Sequence, residues 1–367
     1  MKYLLLVLVL AVFTSTFAQD KSDFKVTGYV FGDYFYKAGG DTLAKPGYKS
    51  QYWGNSSDKV TQYVKGFSAF QMRRVYLGFY YNLNPDFSTT VLFEGNDGSF
   101  AQFTSAGIKQ SVYVKQAFVE WKSLVPNASL YIGLVPTPTF GVDEAIWNYR
   151  SVEKTPGDAR ALGQASDFGV SLKGKFDDAG MVTYHATIGN GPGQAFENNK
   201  YKVFYGSIDV KPVKDLIVEL YSDYAPASDG VKNINASTFK AIAGYKVAGL
   251  NLGAEFFSKT FRNSTLVSKV LQDKVSTIFS VFGYYPVMNN LNLLARFDAY
   301  DPDKNDADGK YATAYKETFV TVGADYSPNA NIHIIPNIWA NSFSPKGTNL
   351  AKGTDLVYRI TYHFIFK

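Results

Sequence analysis

Charged residues set singly among apolar neighbours are the first candidates for chemistry in this chain of 367 residues. They are Arg74, Glu94, Lys173, Lys175, Lys240, Glu255, Arg296, Asp298 and Arg359. A second group, Asp143, Glu144, Arg150, Lys154, Asp158 and Arg160, falls within one Pro-bounded segment, Pro136 to Ala165. Fixed charges spread in this way suit the selection of ions along a passage, where width and charged side chains at the narrowest section decide what passes. Enzymatic chemistry has less support. His185, His333 and His363 lie far apart in the chain, and a lone histidine in a strand is more often a wall residue than a base. There is no G-x-S-x-G elbow and no paired-histidine metal motif. The absence of Cys removes thiolate nucleophiles, Cys-based zinc sites, disulfides and a lipoprotein anchor together. Asp301 to Lys310, DPDKNDADGK, is acidic but lacks the spacing to a ligating Glu that a calcium loop needs, so it reads as a solvated loop. No cofactor and no metal are expected.

The elements that must position these charges show a period of two. Phe168, Val170, Leu172 and Phe176 fall on one face, with Asp167, Ser171, Lys173 and Lys175 on the other. The pattern recurs at Leu291 to Asp298 and at Tyr358 to Phe366. Such segments begin near Phe24, Phe67, Asp86, Lys109, Ser129, Asp167, Met181, Lys200, Asp215, Thr238, Leu250, Val275, Leu291, Thr318, Ile332 and Leu356. That makes about 16 strands, an even number as single-chain membrane barrels have, and their lengths approach the roughly 9 to 11 residues that cross a bilayer at a tilt. Short turns at Asn82 to Pro85, Asp177 to Gly180, Ala248-Gly249 and Ser327 to Ala330 alternate with long connections at Lys37 to Lys65, Asp97 to Ile108, Pro136 to Ala165, Asn190 to Asn199 and Asp301 to Ala312. The fold class expected is therefore all-β, a transmembrane antiparallel barrel. Arg or Lys on the lipid face would cost about 2 to 4 kcal/mol at midplane, which assigns the singly spaced charges to the lumen.

Residues 1–18 read as a signal peptide, with Lys2, an apolar run from Leu4 to Val12 and small residues ending at Ala18. Residues 19–367 then form one barrel domain, with few residues before the first strand to make a plug. The run is too short for a spanning helix, and no later segment is long and apolar enough to be one. Tyr (27) and Phe (29) are abundant, as aromatic girdles require. The net charge of +5 is scattered rather than clustered, which argues against a nucleic-acid partner. Outer-membrane lipid and small solutes are the expected partners. Within Pro136 to Ala165, Val142, Ala145, Ile146 and Tyr149 stand at helical spacing and predict one or two turns of helix packed on the inner wall. A different reading is a closed barrel acting as an adhesin or assembly platform, for which Tyr48, Tyr52 and Trp53 in the first long connection would supply aromatic contacts.

Several stretches, in this order, resemble the phosphate-selective porin family. They are QMRRVYLGF (Gln71 to Phe79), VKQAFVEW (Val114 to Trp121), GLVPTPTFG (Gly133 to Gly141), DFGVSLKGKF (Asp167 to Phe176), IGNGPG (Ile188 to Gly193) and LLARFDAYDPD (Leu293 to Asp303). The resemblance covers most of the chain from Gln19 onward. It implies a 16-stranded, usually trimeric channel of the bacterial outer membrane for small polar or anionic solutes, with an inward-folded third external loop carrying the constriction. Weak anion selectivity is expected, from Arg74, Arg296 and Arg359 on the wall and Arg150, Lys154 and Arg160 in the loop. Glu94, Glu255, Asp298, Asp143, Glu144 and Asp158 are expected to neutralise part of it.

Overall fold

A computed structural model describes residues 23–40, 65–96, 112–227, 233–267, 270–307, 309 and 315–366. The first half of the barrel is β1 (Phe24–Gly39), β2 (Ser68–Asn82), β3 (Phe87–Asn96), β4 (Val112–Val125), β5 (Ala128–Pro136), β6 (Ser166–Lys175), β7 (Val182–Gly189) and β8 (Val203–Val210). The second half is β9 (Leu216–Ala225), β10 (Ala236–Val247), β11 (Leu250–Val267), β12 (Val270–Met288), β13 (Leu291–Asp301), β14 (Tyr315–Asn329), β15 (Ile332–Pro345) and β16 (Asp355–Phe366). Every strand pairs antiparallel with its chain neighbours, and β1 pairs with β16 to close the barrel. The sixteen predicted strands are the sixteen observed, their starts displaced by a few residues at most.

Alternation works as expected because a pleated strand sends successive side chains to opposite faces. Phe168, Val170, Phe297, Ile360 and Phe364 are exposed on the outside, while Asp167, Ser171, Arg296, Asp298, Arg359 and Thr361 are buried on the inside. An apolar exterior on this scale would drive aggregation in water, so the surround it fits is hydrocarbon. No described helix is long and apolar enough to cross a membrane, and the crossing elements are strands. The short turns are closed by local chemistry. Asn84 accepts from the backbone N–H groups of Asp86 and Phe87, and Asp177 from those of Met181 and Val182. At Ala248 and Gly249 both φ angles are positive, the twist that a two-residue hairpin needs.

Two of the irregularities in strand register bear on the interior. Phe31 pairs with Arg74 but Gly32 pairs with Met72, which leaves Arg73 as the extra residue. Leu92 pairs with Gln116 and Phe93 with Val114, which leaves Lys115 extra. A bulge re-aims a side chain, and each of these delivers a further cation to the inside. The connection from β5 to β6 contains two short helices, α1 (Gly141–Trp147) and α2 (Pro156–Ala159). Residues 1–18, the aromatics Tyr48, Tyr52 and Trp53, and the connection from Asp97 to Ile108 lie outside the described residues.

Candidate functional site

The β5–β6 loop is packed against the inward faces of a long arc of wall. Trp147, Tyr149 and Val152 from the loop are buried with Ile242 on β10, Phe282 on β12, Leu294 on β13 and Ile335 on β15. Burying side chains of this size stabilises the contact by roughly 1.5–3 kcal/mol each. α1 can lie close to the wall because Gly244 and Gly253 face it: a Cβ at Gly244 would stand 2.6 Å from the Ile146 side chain. The helix predicted from Val142, Ala145, Ile146 and Tyr149 is thus present, although Tyr149 lies just past its end.

Four buried charge clusters hold the loop down. Beneath α1, the Lys240 ammonium lies 2.7 Å from both Asp143 and Glu219 and donates to the Thr139 carbonyl. Glu255 is buried beside this group, and neither of its carboxylate oxygens is hydrogen-bonded. Burial pushes the Asp143 carboxyl above the ordinary range despite the adjacent ammonium. In the second cluster Asp298 receives Arg160 at 2.7 Å, Arg296 at 2.7 Å and the Ser280 hydroxyl at 2.6 Å, while Arg296 also donates to the Lys154 carbonyl. In the third, Arg359 donates to Asp33 and, at 3.0 Å, to the Val152 carbonyl. Arg73 donates to the Ser151 and Val152 carbonyls at 3.0 and 2.8 Å.

The fourth cluster is the most accessible. Arg74 donates to Glu94, which Lys115 approaches at 3.1 Å. Arg150 lies 3.2 Å from Glu144 and 3.3 Å from Asp158 and donates to the Tyr76 hydroxyl at 3.0 Å. Lys154 lies 3.9 Å from Asp158. Glu144 and Lys154 expose 33% and 34% of their side chains, against 0% for Arg160 and Asp298. Burial opposes ionisation of Asp158, but Lys154 and Arg150 outweigh it and bring its pKa to about 2. Burial raises the Glu144 carboxyl, with Arg150 offsetting part of the rise.

These contacts divide the lumen. On the arc from β10 through β16 to β2, the inward residues Lys240, Glu255, Arg296, Asp298, Arg359 and Arg74 are buried and covered. On β4 to β8, inward Gln116, Phe118, Tyr131, Lys173, His185 and Asp209 are only half-buried, whereas Ser171, Thr187, Tyr205 and Ser207 between them are buried. Lys173 lies over the Tyr131 ring at 4.8 Å, and Glu120 accepts from Tyr131 and Ser88, each at 2.9 Å. Lys175 instead turns back to the Asp178 carbonyl at the short-turn end.

All nine wall charges chosen by alternation therefore point inward, but only Lys173 and Lys175 stay partly accessible. Arg74, Arg296, Arg359 and Arg160, expected to contribute to anion selectivity with part of their charge neutralised, are each buried and paired with a carboxylate. Arg73, Lys115, Asp33, Glu153 and Glu219 went unnoticed in the sequence. Arg73-Arg74 held the clue for one of them, since two successive cations in a membrane strand require a bulge to keep one from the lipid.

Two of the histidines, far apart in the chain, meet in the fold. His333 and His363 are cross-strand partners with stacked rings 5.4 Å apart. His333 contacts Asp325 at 3.0 Å, and Asp325 accepts from the Tyr149 hydroxyl of the loop at 3.1 Å. Between Asp301 and the Asp303 carbonyl stands the Lys346 ammonium, so the described part of that acidic stretch already holds a cation of its own. Among the described residues no group of three or more acidic or His side chains is arranged to hold a metal ion.

No protein-family model matches the chain, and no curated protein matches it. Solved structures do. The outer membrane channel DcaP of Acinetobacter baumannii aligns with a TM-score of 0.64 at 10% identity, over 95% of this chain and 99% of that one. The anion-selective porin from Comamonas acidovorans aligns at 0.60 and 11% identity, over 94% and 99%. Salmonella typhi OmpF, in complex with daunomycin, aligns at 0.60 and 14% identity, over 93% and 97%. Nearly whole chains superpose in each case, and the fold of this chain is that of the bacterial outer-membrane porins.

Proposed function

We propose that the protein is a passive, water-filled channel of the bacterial outer membrane that admits small polar solutes with a weak preference for anions. The observation that carries this reading is the division of the lumen: the β5–β6 loop covers one arc of wall and leaves Gln116, Tyr131, Lys173, His185 and Asp209 on β4 to β8 partly accessible. In this reading the loop sets the constriction, through Glu144, Arg150, Lys154 and Asp158 facing Arg74 and Lys115. A closed adhesin or platform has no use for such a half-covered polar interior. The Comamonas porin, anion-selective by name, shares the fold and lends support.

The preference is weak because most cations are matched by carboxylates. Lys154 and Lys173 contribute the accessible positive charge, with Glu144 and Glu120 opposing it. Phosphate is among the solutes we propose. Discrimination against other small anions should be slight, since isolated lysines lack the bidentate geometry of arginine clusters. The proposed assembly is a homotrimer, as the family resemblance implies. Recording purified protein in a planar bilayer under a salt gradient tests the reading. Discrete current steps and a small anion-favouring reversal potential, shrinking toward 1 M salt where the Debye length is about 3 Å, are expected. Absence of current would overturn it.

A further inference from the structure

At the barrel end that carries the short turns, α1 floors a recess of 610 Å³. This lies within the roughly 300–1,000 Å³ range of small-molecule sites. Its lining is largely apolar: Val142, Ala145 and Ile146 from α1, Leu216 and Ile217 from β9, and Met181 beside the β6–β7 turn. Ile217 is the cross-strand partner of Gly244, the residue against which Ile146 sits, so this part of the recess lies inside the barrel mouth, with the outward-facing Tyr245 and Leu252 at its rim.

Three lysines, Lys211, Lys214 and Lys246, stand at this recess against one acid, Asp215. All three are exposed, and among the described residues none of their ammonium groups has an ion-pair partner. Deeper in the interior, by contrast, Arg74, Arg150, Arg160, Lys240, Arg296 and Arg359 are each paired with a carboxylate. An apolar floor in an aqueous passage is poorly solvated, and unpaired cations at its edge attract an anionic head. Inorganic phosphate or chloride would use the lysines alone and leave the floor wet.

We propose that this recess binds small amphipathic monocarboxylates, with the apolar tail on α1 and the carboxylate among Lys211, Lys214 and Lys246. Because the floor is part of the constriction loop, an occupant narrows the passage and its binding is read as block of current. The proposal rests on the channel reading above. The two fail differently: no current at all removes the channel, whereas current without block removes only the recess.

The test is a planar-bilayer recording in which sodium octanoate, acetate or octylammonium is added to the side bearing the short turns. Octanoate should block in a saturable way, while acetate lacks the tail and octylammonium has the wrong charge. In the triple variant K211E/K214E/K246E, the octanoate concentration for half block should rise about tenfold or more, a change of about 1.4 kcal/mol or more. The lysines are exposed and outside the packed interior, and a triple Gln variant serves if the Glu variant does not assemble. Equal block by octylammonium, or equal octanoate sensitivity in wild type and variants, would overturn the proposal. So would a phospholipid found by native mass spectrometry to fill the recess and to persist after octanoate is added.

Discussion

Replacing Lys240 with Met should unfasten α1 without opening the barrel. The substitution keeps most of the side chain's apolar length and removes the one ammonium shared by Asp143 and Glu219, each 2.7 Å away. Breaking a buried ion pair by deleting one partner typically costs about 3–5 kcal/mol. If that cost falls on loop packing, the detached fraction rises by roughly two to four orders of magnitude. The rest of the loop stays tethered, because Trp147, Tyr149 and Val152 remain buried and Arg73, Arg296 and Arg359 still hold its carbonyls. Limited proteolysis should therefore cut between Pro136 and Trp147 in the variant, single-channel current should become larger and noisier, and heat-modifiable migration should persist. The effect has a sign with pH. The Asp143 carboxyl is already raised by burial, so at low pH it becomes neutral and the missing ammonium costs less, whereas at high pH the full cost appears. Adding Asp143→Asn should restore part of the wild-type behaviour. Proteolysis and current identical to wild type at pH 8 would refute the anchoring role of Lys240.

Three other outcomes follow from the same contacts. Lowering the pH should shift the reversal potential toward anions, and should do so at a higher pH than an ordinary carboxylate would require, because burial raises the Glu144 carboxyl while Arg150 and Lys154 keep their charge; Glu144→Gln should reduce this shift. Gly244→Val places a side chain where Ile146 sits, an overpacking cost of about 1–3 kcal/mol that should displace α1 and change conductance, with Ile146→Ala as the compensating change. Phe366→Ser alters the closing seam, where Phe366 is the cross-strand partner of Gly28; heat-modifiable barrel should be reduced, and normal yield would refute the assembly role of the last strand.

Much of the barrel was legible because lipid enforces alternation. A charge at Arg296 or Asp298 has one affordable direction, so parity alone places it inside. Parity does not report what lies on top of a residue. Whether Arg296 meets water or the Lys154 carbonyl depends on a loop more than a hundred residues earlier in the chain, and that packing has no short-range signal. Bulges defeat parity directly, which is why Arg73 and Lys115 were missed. The stacked His333 and His363 depend on the register of β15 against β16, set by the whole seam and not by either strand's own pattern. The loop helix was legible from its apolar spacing, but its seat on Gly244 and Gly253 was not, since those glycines read as ordinary strand positions.

The division of the lumen into a covered arc and an accessible lane is open to direct measurement, because the chain has no cysteine of its own. Single cysteines at Lys173 and His185 face the accessible lane, and single cysteines at Thr321 and Asn337 face inward beneath the loop. A charged methanethiosulfonate reagent applied during bilayer recording should react rapidly at positions 173 and 185 and step the current down. At positions 321 and 337 it should leave the current unchanged. Rapid modification at 321 and 337 with silence at 173 and 185 would contradict the account, because it would mean that ions pass on the side of the barrel we assign to the packed loop.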